Sequence, residues 1–146
     1  MEIVRASDRG YEERGGVRSY RLLESGGDPG GGSGRFGTLC ALNEEVFDPG
    51  QGLPSHTHRE VEVVTLVVQG EVTLQDAMGI KSVVRAGEVH RMSAGTGVRH
   101  SETNLGRGPA RFHQVWIAPD AAGRNPGYAQ RRLDPASWHN RLAPVA

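Results

Sequence analysis

The chain has 146 residues, with 17 basic and 17 acidic side chains and a formal charge of zero. That length supports one domain with a real core and is short for two. Neutrality excludes a global field that would draw the chain to nucleic acid or to an anionic membrane, so neither is expected as a direct partner.

The charge is unevenly spread. From Arg99 onward seven arginines stand against Glu102, Asp120 and Asp134, read here as solvated surface charge. A single cysteine, Cys40 in "FGTLCALN", rules out an internal disulfide and a cysteine-based zinc site and is expected to be a buried, inert thiol. The start "MEIVRASDRGYEERGG" is charged and lacks the apolar core of a signal peptide, and no apolar run approaches a membrane span. A soluble, cytoplasmic protein is expected.

In chain order, "ESGGDPGGGSG" (residues 24–34) has too little side chain to pack and is expected to be a flexible loop. Strands are expected at Gly37–Leu42, Val61–Val68, Glu71–Gln75, Ser82–Arg85 and Arg111–Ile117, separated by "DPGQG", "QG", "DAMG", "AGE" and "AGTG". "DAMG" between "EVTLQ" and "IKSVV" predicts a hairpin loop of about four residues. Gly95 and Gly97 are expected to serve turns needing positive φ. The tail mixes Pro, Arg and isolated apolar residues, with a short helix expected around "DPASWHNRL", capped by Asp134 and opened by Pro135. Many short strands with little helical periodicity argue for an all-β sandwich or barrel.

The stretch "GLPSHTHREVE" sets His56 and His58 one residue apart ahead of a β-branched run. Side chains at i and i+2 of a strand share a face, so an extended segment from Ser55 makes the two imidazoles neighbours. "GTGVRHSETN" repeats the spacing with His100 and Glu102. A lone His-x-His arises readily by chance; a second such pair on a facing strand would present three nitrogens and a carboxylate to one point. Such a set without thiolate suits Fe(II), Mn(II), Ni(II), Cu(II) or Zn(II), and on a six-coordinate ion it leaves positions open for chemistry. His90 and His113 fall in strands and could line the barrel but are read as structural histidines, His139 as exposed, and Phe112 and Trp116 as core. Arg59, Arg99 and Ser101 alternate with the ligands and face away.

These residues also carry a resemblance. "G-x5-H-x-H-x3-E", from Gly50 through His56, His58 and Glu62, resembles the first motif of the cupin superfamily, and "AGEVHRMSAGTGVRHSETN" resembles the second motif as it stands in the pirin family. With "NEEVFDPGQGLPSHTHREVEVVTLVVQGEV" and "FHQVWIAPDAAGRNPGYAQRRLD", the likeness runs over roughly residues 37–134. It implies a double-stranded β-helix (jelly-roll) barrel over residues 1–118, with 119–146 as a tail on the barrel or on a partner subunit. It implies a single divalent metal, Fe(II) favoured, on His56, His58, His100 and Glu102. Glu62, a ligand in many cupins, is expected near the histidines as an orienting group or else facing solvent.

Pirins carry a second barrel, and this sequence ends about where that barrel would begin. Apolar residues Tyr128, Leu133, Trp138 and Leu142 of the tail would then seek cover, and a homodimer is the expected outcome. "HTHREVE" and "RSYRLLESGGDPGGGSG" also depart from the family's strings, at the pocket mouth and not at the ligands. The function implied is that of a metal-dependent dioxygenase resembling quercetin 2,3-dioxygenase, taking a small aromatic flavonol and O2, with Glu102 as ligand and base. The alternatives are a metal-loaded, redox-responsive binding module or transcriptional co-regulator, and a cupin isomerase or decarboxylase on a small metabolite.

Overall fold

The computed structural model describes residues 5–23, 36–137, 139–140 and 144–145. The expected loop at 24–34 and the tail residues Trp138 and Leu142 lie outside them. Eleven strands are present among the described residues, with 3-10 turns at Ala6–Asp8 and Pro135–Ser137. Seven form one antiparallel sheet: β1 (Gly10–Arg14), β2 (Val17–Leu23), β3 (Leu39–Phe47), β10 (Ala110–Ile117), β5 (Glu62–Gln69), β8 (Glu88–Ser93) and β11 (Gly127–Arg132), in that spatial order. The other four, β4 (Gly52–His58), β9 (Val98–Thr103), β6 (Glu71–Asp76) and β7 (Lys81–Arg85), form a second antiparallel sheet. No helix of the described residues is long and apolar enough to cross a membrane.

All five expected strands are present, most of them longer than expected. The predicted hairpin joins β6 to β7, where Asp76 Oδ1 accepts the backbone N–H groups of Met78 and Ile80 at 2.9 and 2.8 Å. Cys40 is buried. Gly95 and Gly97 have φ of 47° and 140°, and a Cβ at Gly95 would strike the backbone of Arg124. Of the expected C-terminal helix, the described residues show the turn Pro135–Ser137, where Asp134 Oδ1 accepts from Ala136 N at 3.0 Å. Asp134 thus caps and Pro135 opens the turn, as expected.

The sheets close on each other through two apolar clusters. One joins Val17, Phe47, Val67 and Phe112 of the larger sheet to Val72, Leu74 and Val84 of the smaller, with Leu53 packed against it. Phe47 and Phe112 meet edge to face, their ring centroids 4.9 Å apart. The other cluster joins Val63 and Met92 to Val98, with Val61, Ala94 and Trp116. Strand alternation then dictates what lies between. On β10, Phe112 belongs to the first cluster and Trp116 to the second, so Gln114 points into the layer separating them. The same reasoning puts Thr65, His90, His100 and Glu102 in that layer, and all four are buried.

The tail crosses its own barrel. β11 pairs with β8 from Gly127↔Ser93 to Arg132↔Glu88, Leu133 N donates to Gly87 O at 2.9 Å, and Tyr128 Oη donates to Asp76 Oδ2 at 3.0 Å. Arg131 reaches back to the carbonyls of Pro144 and Val145, 2.5 and 3.3 Å away.

Candidate metal centre

The histidine pair owes its position to a bulge. In the β4–β9 ladder Leu53 pairs with Glu102 and His56 with His100, so three residues of β4 span what two residues of β9 span. Paired residues share a face, which an odd step along a regular strand would forbid. The extra residue falls at Pro54–Ser55, where a proline without an N–H is tolerated. Leu53 therefore stays in the apolar cluster while His56 and His58 turn inward. β9 also runs close against the start of β4. A Cβ at Gly52 would fall inside contact distance of the Glu102 carbonyl, so only glycine admits this approach.

The two His pairs are neighbours in one sheet, where facing strands had been expected. Nitrogen atoms of His56, His58 and His100 all lie within 4.8 Å of one another, a grouping able to hold a metal ion. The three rings stand 4.6–5.1 Å apart, centroid to centroid. His56 Nδ1 lies 2.8 Å from the Pro54 carbonyl, an acceptor, so Nδ1 carries the proton and Nε2 presents its lone pair inward. That Nε2 is 3.0 Å from His58 Nε2. With its proton on Nε2, His58 donates to that lone pair; with its proton on Nδ1, two lone pairs face each other, an arrangement that a cation between them would satisfy. His100 Nε2 is buried with no hydrogen-bond partner, which an apolar interior penalises unless another group occupies the site.

Glu102, expected as a fourth ligand, is not part of that three-histidine group, although its Oε1 lies 3.6 Å from His100 Nε2. It is only 1% exposed, and burial raises its pKa to about 7 against the lowering effect of its hydrogen bonds from Gln114. Burial first, then the neighbouring His56 and His58, lowers His100 to about 3; burial lowers His90 to about 4. Both imidazoles are thus neutral, as ligation requires.

Other sequence expectations divide. His90 does line the interior, beside Tyr128, with ring centroids 5.9 Å apart. His113 does not: it lies between the inward-facing Phe112 and Gln114 and so faces the outside of the sheet. Glu62 also points outward, its Oε2 accepting from Ser93 Oγ at 2.6 Å, so it does not orient a histidine. The corner at Glu60, with φ of 51°, separates β4 from β5 and resets the alternation that had put Glu62 beside His58. Arg99 faces away as expected, bonded to Ser55 Oγ at 2.9 Å.

Gln114 and Glu45 were not singled out in the sequence. Gln114 Nε2 donates to both oxygens of Glu102, at 2.8 and 2.9 Å. Glu45, 4% exposed, accepts from Ser19 Oγ at 2.5 Å, and its pKa is pushed up to about 7, first by burial and further by Glu102. A polar residue between same-face aromatics, as in "FHQVW", is the signal that would have exposed Gln114.

Two antiparallel sheets closing around a buried polar layer form a double-stranded β-helix of the cupin type. The sequence profile of the Pirin family matches residues 31–117, and the chain belongs to the pirin family. A quercetin 2,3-dioxygenase of Escherichia coli K12 is 39% identical over 134 residues, covering 90% of this chain and 58% of that protein. Escherichia coli YhhW superimposes with a TM-score of 0.80 at 35% identity, covering 97% of this chain and 65% of that one. YhhW, a bacterial pirin, has also been solved in complex with nickel(II), with a TM-score of 0.78 at 34% identity and covering 96% and 65%. The cupin domain of Schizosaccharomyces pombe Cnp3, 11% identical with a TM-score of 0.58 and covering 75% and 69%, shares the fold alone. The chain thus spans less than two thirds of the quercetin 2,3-dioxygenase and YhhW chains it matches.

Glu45 yields a test that needs no metal. Its folded-state pKa of about 7 lies above the ordinary 4.5, so the folded chain keeps a proton that the unfolded chain releases between those values. The stability this contributes is complete below 4.5 and is lost as pH rises through about 7. The lowered His90 and His100 contribute an opposite slope below 6.5, so the difference between variants is the readout: the denaturation midpoint of the metal-free parent should fall relative to that of Glu45→Gln between about pH 5 and pH 8. Identical slopes in the two proteins would show that Glu45 ionises freely.

Proposed function

We propose that His56, His58, His100 and Glu102 hold one divalent transition metal, and that the chain is the metal-bearing part of a dioxygenase acting on a flavonol-like aromatic substrate. The observation that carries this is the buried, unpartnered His100 Nε2 directed to the same point as two further imidazole nitrogens. Three imidazoles and a carboxylate favour borderline ions over calcium or magnesium. Fe(II) is the ion proposed; manganese, nickel, copper and zinc suit the same donors, and nickel occupies the related YhhW. Once bound, the ion supplies Lewis acidity toward a substrate oxygen.

The remaining chemistry belongs to the chain. The Pro54 carbonyl fixes the His56 tautomer. Burial keeps His100 unprotonated, so its nitrogen is available without competition from a proton. With no ion bound, burial lifts the Glu102 carboxyl to about 7; a bound cation would lower it and keep it an ionised carboxylate, the form that can accept a substrate hydroxyl proton. The names of the relatives support an oxidoreductase, and the flavonol is the substrate class inferred from them.

Replacing His58 by Ala should sharply lower the metal content of purified protein, whereas His139→Ala, at an exposed position, should not. Equal retention would overturn the ligand assignment. With a flavonol the metal-loaded chain should consume oxygen slowly, and a chelator should abolish the uptake. Glu102→Gln should reduce that rate more than it reduces occupancy. Full metal binding without oxygen uptake across a flavonol panel would shift the function to a metal-loaded binding module.

A further inference from the structure

Every inward-facing ligand sits on the four-stranded sheet, but what grips the set comes from the opposite one. On β10, Trp116 Nε1 donates to Gln114 Oε1 at 3.4 Å, and Gln114 Nε2 donates to both Glu102 oxygens. The Trp116 ring also meets His58 edge to face, with centroids 4.8 Å apart and planes at 87°. The indole N–H can only donate, so it must face the carbonyl end of the amide. The amino end is thereby turned to Glu102. The orientation of Gln114 is set by its neighbour, and it offers the carboxylate donors only.

We propose that Gln114 and Trp116 form a brace between the two sheets, with Gln114 as a positioning residue that fixes the place and direction of the Glu102 carboxylate beside the metal. This rests on the metal reading above. A glutamate side chain has several torsions, so an untethered carboxylate could swing away from the histidines. An amide nitrogen 2.8 and 2.9 Å from its two oxygens anchors the end of that side chain. The brace also ties a ligand of β9 (Glu102) to the ring packed on a ligand of β4 (His58), so displacement of either is resisted from one strand. Gln114 is 3% exposed and sits among apolar tiers, where an amide is a costly filler unless it has such a task.

A filler and a brace predict different results. Gln114→Met keeps length and volume and removes the amide, and Trp116→Phe keeps an aromatic ring and removes the indole N–H. Nickel(II) affinity is measured by chelator competition on the full chain, together with the absorption spectrum of the bound ion and thermal unfolding of metal-free protein. The brace predicts a loss of about 10–100-fold in nickel affinity for Gln114→Met, as for other groups that orient metal ligands. It also predicts a shifted spectrum and a smaller loss for Trp116→Phe; both variants should unfold earlier without metal, since Glu102 loses its hydrogen bonds or the packed ring shrinks, so affinity and spectrum on folded protein are the readouts that decide. Affinity within about twofold of the parent chain, with an unchanged spectrum in both variants, would overturn the brace alone. If Gln114→Met does not fold, Trp116→Phe decides: unchanged affinity and spectrum overturn the proposal. Failure of the parent chain itself to take up nickel would overturn the metal reading and the brace with it.

Discussion

A carboxylate shut away from water beside three imidazoles is the constraint on which the rest of this structure depends. Glu102 is 1% exposed, and an isolated charge there would cost several kcal/mol or neutralise itself. The barrel meets that cost by devoting a whole layer to polar side chains. Thr65, His90, His100, Glu102 and Gln114 lie between two apolar clusters, which carry the packing above and below them. The aliphatic tiers hold the fold; the polar tier between them is where chemistry can occur.

The two sheets divide the work. The smaller supplies the three grouped histidines and Glu102, because the bulge at Pro54–Ser55 lets β4 keep Leu53 in the core and still turn two histidines toward β9. The larger supplies the groups that hold them, with Trp116 against His58 and Gln114 on Glu102. Such a site is largely organised before anything binds. His56 is fixed by a backbone carbonyl and Glu102 by an amide, so less conformational freedom is lost on binding. That rigidity links the packing of a small β domain to the metal-dependent chemistry proposed for it.

Much of this was legible in the sequence, for physical reasons. The two i, i+2 pairs encode a shared face, because strand alternation has a period of two, and the β-branched runs mark the central strands. What could not be read was anything dependent on a departure from regularity. Pro54 hides β4, since a proline argues against a strand unless a bulge is known to accommodate it. The positive φ at Glu60 breaks the count that had placed Glu62 beside the histidines. β1, β2 and β11 are exposed or mixed in polarity and lack the apolar run that signals a strand. Gln114 was overlooked because Phe112 and Trp116 read as plain core. Glu45 is invisible until β3 is known to continue past Leu42, which puts it on the inner face.

The central claim is that these four side chains converge on a single ion. Anomalous diffraction from crystals of the intact chain, grown after purification without chelator and recorded across the metal's absorption edge, tests it most directly. One peak per chain is expected, at about 2.0–2.3 Å from nitrogens of His56, His58 and His100 and from an oxygen of Glu102. A metal-loaded crystal whose anomalous peak lies away from these residues, or that shows the three histidines hydrogen-bonded to one another with no peak between them, would contradict it.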